Sequence, residues 1–370
     1  MSISKERNIK VIFAGRYNEN EILTGPEKVC KRVFSEYAQT EQTVFIDYFR
    51  DGSKYGLFKK LFGFEKITEA NKSQVMRFGI FRMLIHLYKL NPEIIHILSF
   101  ERYTSFIFIL KLITRCKIYY TANGIIRHEN KYYNKESLFS VIKNVITESA
   151  IMYLSDIVFY LSDRSKTIIL YYYRINKFKL KPARNGLDDC FLKLQEGNVE
   201  KEINSIVFIG DLERKEKGGD FLLDALSLVD LSFTLYIITD NKSSSDYQIN
   251  NLSKVIFIKK LKPLELSYFL LNKNIIVASG EYDQFNIAVL EGISCGMYPV
   301  LTFQTGISEI VSSFAECSIV EYGDIKKLSL IISSLISNKV TLKSKPNLGI
   351  FRWDNVYRDY YLKHYLHKVC

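Results

Sequence analysis

Ser279-Gly-Glu-Tyr-Asp-Gln-Phe-Asn-Ile-Ala-Val-Leu-Glu-Gly-Ile-Ser-Cys-Gly-Met-Tyr-Pro-Val300 is the stretch whose reading decides the fold. Just before it, Ile275 to Ala278 is a short apolar run of the kind that fills a parallel strand buried on both faces. Polar residues through Asn286 then make a loop, and Ile287 to Ser294 set apolar side chains on one helical face. Cys295-Gly296 stops that helix, Pro299-Val300 begins another strand, and a second loop opens at Gly306. In an open α/β sheet, a helix N-terminus beside the carboxyl end of a strand presents free N–H groups and a positive dipole, which suit a phosphate. Asp283 in the loop and Glu291 about two turns further on flank this helix start, where acids would hold hydroxyls around a bound anion.

The same alternation extends upstream. Ser205 to Ile209 reads as a strand, Gly210 begins a charged loop, and Lys217-Gly-Gly-Asp-Phe-Leu-Leu-Asp-Ala-Leu226 starts an amphipathic helix. A lysine after a strand and just before a helix N-terminus is where a diphosphate would be clamped. Asp211, Glu213, Arg214, Lys215 and Glu216 surround Lys217, so a solvated charge run is the competing reading. Thr234 to Thr239 and Lys254 to Lys259 continue this second sheet. The first half repeats the pattern, with strands expected at Asn8 to Ala14, Thr43 to Phe49, Glu93 to Ser99, Lys117 to Thr121 and Ile157 to Leu161.

Thr24-Gly-Pro-Glu-Lys-Val29 opens a helix, with Pro26 suited to its first turn. Gly25 either admits the close approach of a ligand or belongs to an ordinary turn. Asn123, in Ala122-Asn123-Gly124 at a strand end, is either a ligand contact or a turn residue. Asn185-Gly-Leu-Asp-Asp-Cys-Phe191 and the polar stretch Gln195 to Asn204 interrupt the pattern, which marks an interdomain junction. The expected organisation is a domain over 1–184 and another over 185–354, with a tyrosine-rich terminal helix over 355–370 packing back on the first.

A chain of 370 residues exceeds one common core, which fits two domains. Six scattered cysteines, Cys30, Cys116, Cys190, Cys295, Cys317 and Cys370, argue against a zinc site and against a disulfide framework. No run of about 18 uncharged apolar residues occurs, and the N-terminal residues lack an apolar signal region, so a cytoplasmic protein is expected. Residues 1–185 carry 31 Lys and Arg against 17 Asp and Glu, a balance of +14, whereas residues 186–370 carry 20 against 23, a balance of −3. A basic half suits nucleic acid, an anionic membrane or a phosphorylated substrate, and no nucleic-acid motif supports the first. Lys54-Tyr-Gly-Leu-Phe-Lys-Lys-Leu-Phe-Gly-Phe-Glu-Lys66 interleaves aromatics with lysines, and Arg77, Arg82 and Lys89 continue the basic trend along a more helical segment. Such a stretch either lies on an anionic bilayer at the inner face of the cell membrane or tucks its aromatics under the domain.

Taken in order, these motifs resemble the retaining GT-B glycosyltransferases of family four, which build capsule, O-antigen and glycolipid sugars. Gly25-Pro-Glu-Lys-Val29 is similar to the start of that family's first helix, Asn185-Gly-Leu-Asp-Asp-Cys-Phe191 to its junction, and Gly210-Asp-Leu212 with Lys217-Gly218 to its Gly-Arg-Leu and Lys-Gly pair. Asp283-Gln-Phe-Asn286, Glu291-Gly292, the Cys295 to Val300 turn and Gly306-Ile-Ser-Glu-Ile-Val311 resemble its most specific cluster, and Phe351-Arg-Trp-Asp354 its ending. The match departs at Asp211, where the family has arginine, at Asn123, where it often has histidine, and at Asp283, where it has glutamate. One extra residue also precedes Pro299.

The resemblance implies an α/β GT-B fold, two Rossmann-like domains facing across a cleft, with donor on the second and acceptor on the first. It implies retaining transfer from a nucleotide sugar, a UDP-sugar first and a GDP-sugar second, to a lipid-linked or surface-polysaccharide glycan, with neither metal nor cofactor. Lys217 would hold the donor diphosphate, Asp283 a sugar hydroxyl and Glu291 the ribose, while Asn123 would approach the reacting carbon. Backbone N–H groups of Phe285, Asn286 and Ile287 would meet the sugar or phosphate, with Arg214, Gly25 and Glu309 as further donor contacts. A binding subunit that supports a partner transferase and a sugar-nucleotide epimerase are the alternatives, since fold alone does not fix reaction.

Overall fold

The computed structural model describes residues 10–49, 55–70, 73–132, 137–193, 199–240, 249, 252–343 and 346–366. The chain divides into two compact units: Met1–Leu161 with Ser165–Ala183 and Val356–Cys370, and Ser162–Arg164 with Arg184–Asn355.

The first unit is built on an eight-stranded sheet. Its strands are β1 (Val11–Ala14), β2 (Val44–Tyr48), β3 (Phe64–Ala70), β4 (Ser73–Phe78), β5 (Ile94–Ile97), β6 (Lys117–Thr121), β7 (Ile157–Tyr160) and β8 (Leu180–Pro182), in the spatial order β3-β4-β2-β1-β5-β6-β7-β8. The apolar runs read as strands are buried, Val11 to Ala14 completely. Each Ile, Val or Leu so enclosed contributes roughly 1.5–3 kcal/mol. Pairing is parallel throughout except between β3 and β4. Helix Gly25–Thr40 follows β1, and the Glu27 carboxylate accepts both the N–H and the hydroxyl of Thr24 at 2.9 Å, which fixes its first turn.

The β3–β4 hairpin corrects the reading of Arg77 as part of a helical segment. Residues 73–78 pair with β2 on one side and with β3 on the other, which makes the segment a strand, with Ser73, Val75, Met76 and Phe78 buried and Gln74 and Arg77 less so. Arg77 reaches the buried Asp47 at 3.2 Å and its cross-strand partner Glu65, which is partly exposed, at 3.6 Å. The aromatic and lysine stretch therefore divides into helix Leu57–Phe62 and strand β3, while Lys54 lies outside the described residues.

Residues Val356 to Leu366 close this unit. Tyr361 and Tyr365 are buried, and the Tyr365 hydroxyl lies 2.5 Å from Nδ1 of His96 in β5, whose Nε2 is 2.9 Å from Thr121 Oγ1 in β6. Burial, with His364 nearby, pulls the His96 imidazole down to about 3, so it stays neutral inside the aromatic cluster of Phe13, Tyr119, Phe159 and Tyr361.

The second unit holds a fully parallel sheet of β9 (Glu202–Ile209), β10 (Phe233–Ile238), β11 (Ser253–Ile258), β12 (Lys273–Ala278), β13 (Tyr298–Thr302) and β14 (Ser318–Val320), ordered β11-β10-β9-β12-β13-β14. Leu222 and Leu226 from helix Gly219–Ser227 and Leu328 and Ile332 from helix Ile325–Ser337 fill its core. Leu187 joins this unit through its N–H to Phe351 O at 2.7 Å. A Cβ on Gly186 would meet the Trp353 ring at 2.6 Å, so that position needs glycine for close packing. Cys30, Cys116, Cys190, Cys295 and Cys317 form no disulfide with one another. Cys370 lies outside the described residues, as do 194–198 and the Ser243 to Asp246 segment.

Candidate active site

In the second sheet the strand order reverses between β9 and β12, and loops leaving adjacent strands in opposite directions open a crevice at their carboxyl ends. The loop after β9 reaches Lys217 and enters helix Gly219–Ser227 through Gly218, whose φ of 67° lies in the left-handed region. A Cβ on Gly218 would sit 2.0 Å from the carbonyl oxygen of Ser279, so only glycine lets the two loops touch. The Ser279 hydroxyl donates to Gly218 O at 2.9 Å, and the Tyr282 N–H donates to Glu216 O at 3.2 Å. So laced together, the loops bring Lys217 Nζ to 2.5 Å from Asp283 Oδ2.

Asp283 is itself held through both its side chain and its backbone. Its Oδ1 accepts the Phe285 N–H at 3.1 Å, its carbonyl accepts the Gly306 N–H at 2.7 Å, and it forms a β-bridge with Thr305. Asn286 follows at φ 66°, a left-handed conformation that Asn tolerates better than most residues, and its Oδ1 accepts the Val289 N–H at 3.3 Å. Helix Ile287–Ser294 starts from this cap, so the N–H groups of its first residues have no partner within the helix. A pocket forms here, with Lys217, Ser279, Gly280, Asp283, Asn286 and Ala288 among its walls. A cation, an anchored carboxylate and a helix N-terminus thus meet in one concavity, an arrangement able to receive a phosphate bearing a hydroxylated group.

The remaining expected residues fall in several places. Ile287 and Glu291 lie one turn apart on the same helix, and the Glu291 side chain is buried. Phe285 is buried with its ring 6.4 Å from that of Phe351, so its side chain serves the core. Arg214 is engaged by the buried Glu216, to whose Oε1 its Nε donates at 2.6 Å. The Glu309 carboxylate accepts the N–H groups of Asp163 and Arg164 at 2.7 and 2.8 Å. Gly25 and Asn123 belong to the first unit. A Cβ on Gly25 would meet nothing within 4 Å, so packing alone does not demand glycine there. Asn123 Nδ2 donates to Leu98 O at 2.6 Å, tying the ends of β5 and β6, while its buried Oδ1 has no hydrogen-bond partner among the described residues.

Three participants do not stand out in the sequence. Ser279 and Glu216 brace the Lys217 loop, and the signal for Ser279 is its place directly after an apolar strand. Glu148, mid-helix in Leu138–Leu154, accepts the N–H groups of Ile126 and Arg127 at 2.7 and 2.9 Å and a short hydrogen bond from Tyr173. Burial raises its carboxyl to about 7 despite these donors. It anchors the first turn of helix Ile126–Glu129, just after Asn123 and Gly124, and its position in sequence carries no signal of that.

Two parallel-sheet Rossmann-like units, with the pocket at a topological switch point, define a GT-B fold. Residues 203–338 match the family model described as glycosyl transferases group 1, the segment that holds the Lys217 and Asp283 loops. No curated protein matches the chain. Among solved structures, sucrose-phosphate synthase from Thermosynechococcus elongatus superposes with a TM-score of 0.68 at 12% identity, over 95% of this chain and 97% of its own. The Anabaena protein HepE in complex with UDP and glucose gives a TM-score of 0.69 at 15% identity, over 95% and 98%. WaaG, a glycosyltransferase involved in lipopolysaccharide biosynthesis, gives 0.63 at 12% identity, over 94% of each chain. At such identities the likeness is one of fold. The chain therefore has a GT-B fold, and within its second unit residues 203–338 are similar to the glycosyl transferases group 1 model.

Among the described residues no group of three or more His, Cys, Asp or Glu is placed to hold a metal ion, and no helix is long and apolar enough to cross a membrane.

Proposed function

We propose that the protein is a retaining, metal-independent glycosyltransferase of family four, acting in the cytoplasm to move a sugar from a nucleotide sugar to a lipid-linked or surface-polysaccharide acceptor. The observation that carries this reading is the Lys217–Asp283 pair at the start of helix Ile287–Ser294, inside the segment that matches the glycosyl transferases group 1 model. The HepE complexes, one with UDP and glucose and one with UDP-glucose, support a UDP-sugar as the first donor to try.

In this reading Lys217 takes the diphosphate, and Asp283, which holds the lysine in the free protein, turns to a hydroxyl of the donor sugar. Glu291 takes the ribose hydroxyls. As the glycosidic bond loosens toward an oxocarbenium-like state, its electron pair moves onto the diphosphate oxygen, where the cation and the N–H dipoles stabilise it. Arg214, neutralised by Glu216, contributes less to this than Lys217. A panel of UDP- and GDP-sugars is expected to yield slow hydrolysis or transfer with at least one member, lost in Lys217→Ala. Absence of binding and turnover across the panel would refute the proposal.

A further inference from the structure

We propose that the first unit docks on an anionic lipid bilayer through the outer faces of four helices, a surface much wider than the aromatic and lysine stretch between residues 54 and 66. Helices Leu57–Phe62, Ile80–Leu90, Phe108–Ile113 and Leu138–Leu154 form a contiguous group, the last joined through the turn Arg102–Ile107. Three of them turn an inward face to the core, where Met83 and Leu87, Leu110, and Ile151 with Met152 are buried, whereas helix Leu57–Phe62 buries none of its residues. Their outward faces are also apolar.

On Ile80–Leu90 the exposed residues Phe81, Ile85 and Tyr88 recur at helical spacing opposite the buried pair. Leu57 and Phe58 are 73% and 78% exposed, Leu112 85%, and Leu138 and Phe139 75% and 67%, values that leave most of each large side chain in water. Ile142 and Ile146 continue the last stripe along its helix. A helix apolar on both faces belongs inside something, and a contiguous apolar face of this extent marks a binding surface.

Charge selects the occupant. Lys59, Lys60, Arg82, Lys89 and Lys143 lie on these helices, Lys111 being taken up by Asp156 at 2.8 Å, and the only carboxylate among the described residues of the four is the buried Glu148. Lys59 stands 4.7 Å from the Tyr55 ring centre and Lys143 4.1 Å from that of Phe139, so cations sit directly over aromatics. Aromatic and aliphatic side chains with interleaved lysines, and no exposed carboxylate, match the acyl boundary and headgroups of an anionic leaflet. A protein partner would have to present a surface both apolar and acidic over four helices. No helix needs to cross the membrane for such docking.

The test is co-sedimentation of the full chain with phosphatidylcholine vesicles with and without phosphatidylglycerol, in the absence of any donor sugar, so that it reads independently of the transferase proposal. Wild type is expected to pellet with anionic vesicles and to be released by salt. Each of Lys59→Gln, Lys89→Gln and Lys143→Gln should weaken the partition about fivefold, the equivalent of ~1 kcal/mol per basic residue. Combined Phe58→Ser, Leu112→Ser and Phe139→Ser should abolish binding at any salt without lowering the thermal transition, because these side chains are exposed. Wild type that stays in the supernatant overturns the proposal. So does a triple serine variant that binds vesicles undiminished, including the case in which it converts a dimer to a monomer and assigns the face to a second copy of the chain.

Discussion

Asn286 carries two roles at one position. It starts helix Ile287–Ser294 from a left-handed backbone, and its side chain caps the Val289 N–H. Asn286→Ala loses the cap and keeps a Cβ in an unfavourable conformation, so about 1–2 kcal/mol of stability should go, whereas Asn286→Gly should cost only a few tenths. Chemical denaturation of the two variants measures the difference, and equal losses would show that the cap and conformation do not matter there. Gly25 gives the opposite expectation. A Cβ there would have no atom within 4 Å and the backbone is ordinary, so Gly25→Ala should leave the protein as stable or up to ~1 kcal/mol more stable. If its role is to admit a ligand, the substrate KM rises several-fold in the same variant. An unchanged KM would assign it to an ordinary turn.

At the scale of the element, the helix Leu138–Leu154 holds the start of helix Ile126–Glu129 through Glu148. Its carboxyl is raised by burial to about 7, so the protonated form is the one the fold prefers. The stability this group supplies is fully present below the ordinary carboxyl range and is lost as pH rises through 7. Denaturation at pH 5 and pH 8 should therefore differ by on the order of 3 kcal/mol in wild type, and the difference should shrink in Glu148→Gln. A slope that survives the substitution would place the titration elsewhere. Nothing in Glu148's neighbours in sequence announced this, because its partners, Ile126, Arg127 and Tyr173, lie 22, 21 and 25 positions away. The strands that were legible are those buried on both faces, since continuous apolar runs need no partner to be recognised. The β3–β4 hairpin was not legible, because an edge pair carries charges on its outer face and its basic residues read as a surface helix. The candidate site divides in the same way. Lys217 and Asp283 stood out through local strand-to-helix context, but their 2.5 Å contact spans 66 positions, and Arg214 is diverted by a glutamate two residues on that only the folded loop turns toward it.

For the whole molecule, the order of residues along the chain is not the order of the units. The second unit ends at Asn355, and the last segment returns to the first unit, where it completes a core that residues before 184 leave open. Tyr361 and Tyr365 are fully enclosed there, and a large aromatic removed from a core costs about 3–5 kcal/mol. His96 also depends on the segment, since it is neutral only while burial holds its imidazole at about 3. Its contribution is complete above its ordinary value near 6.5 and is lost as pH falls from there toward 3. Truncation after Asn355 should therefore destabilise the first sheet while sparing the second, which keeps Phe351 and Trp353 in place. Hydrogen exchange resolves the two: amides of β5, β6 and β7 should exchange much faster in the truncated chain, and those of β9 and β12 should not. With His96 then opened to water, the acid sensitivity of the first unit between pH 6.5 and 3 should flatten as well. Equal acceleration in both sheets would show that the units unfold as one, and unchanged exchange in β5 would show that the tyrosines do not hold the first core together.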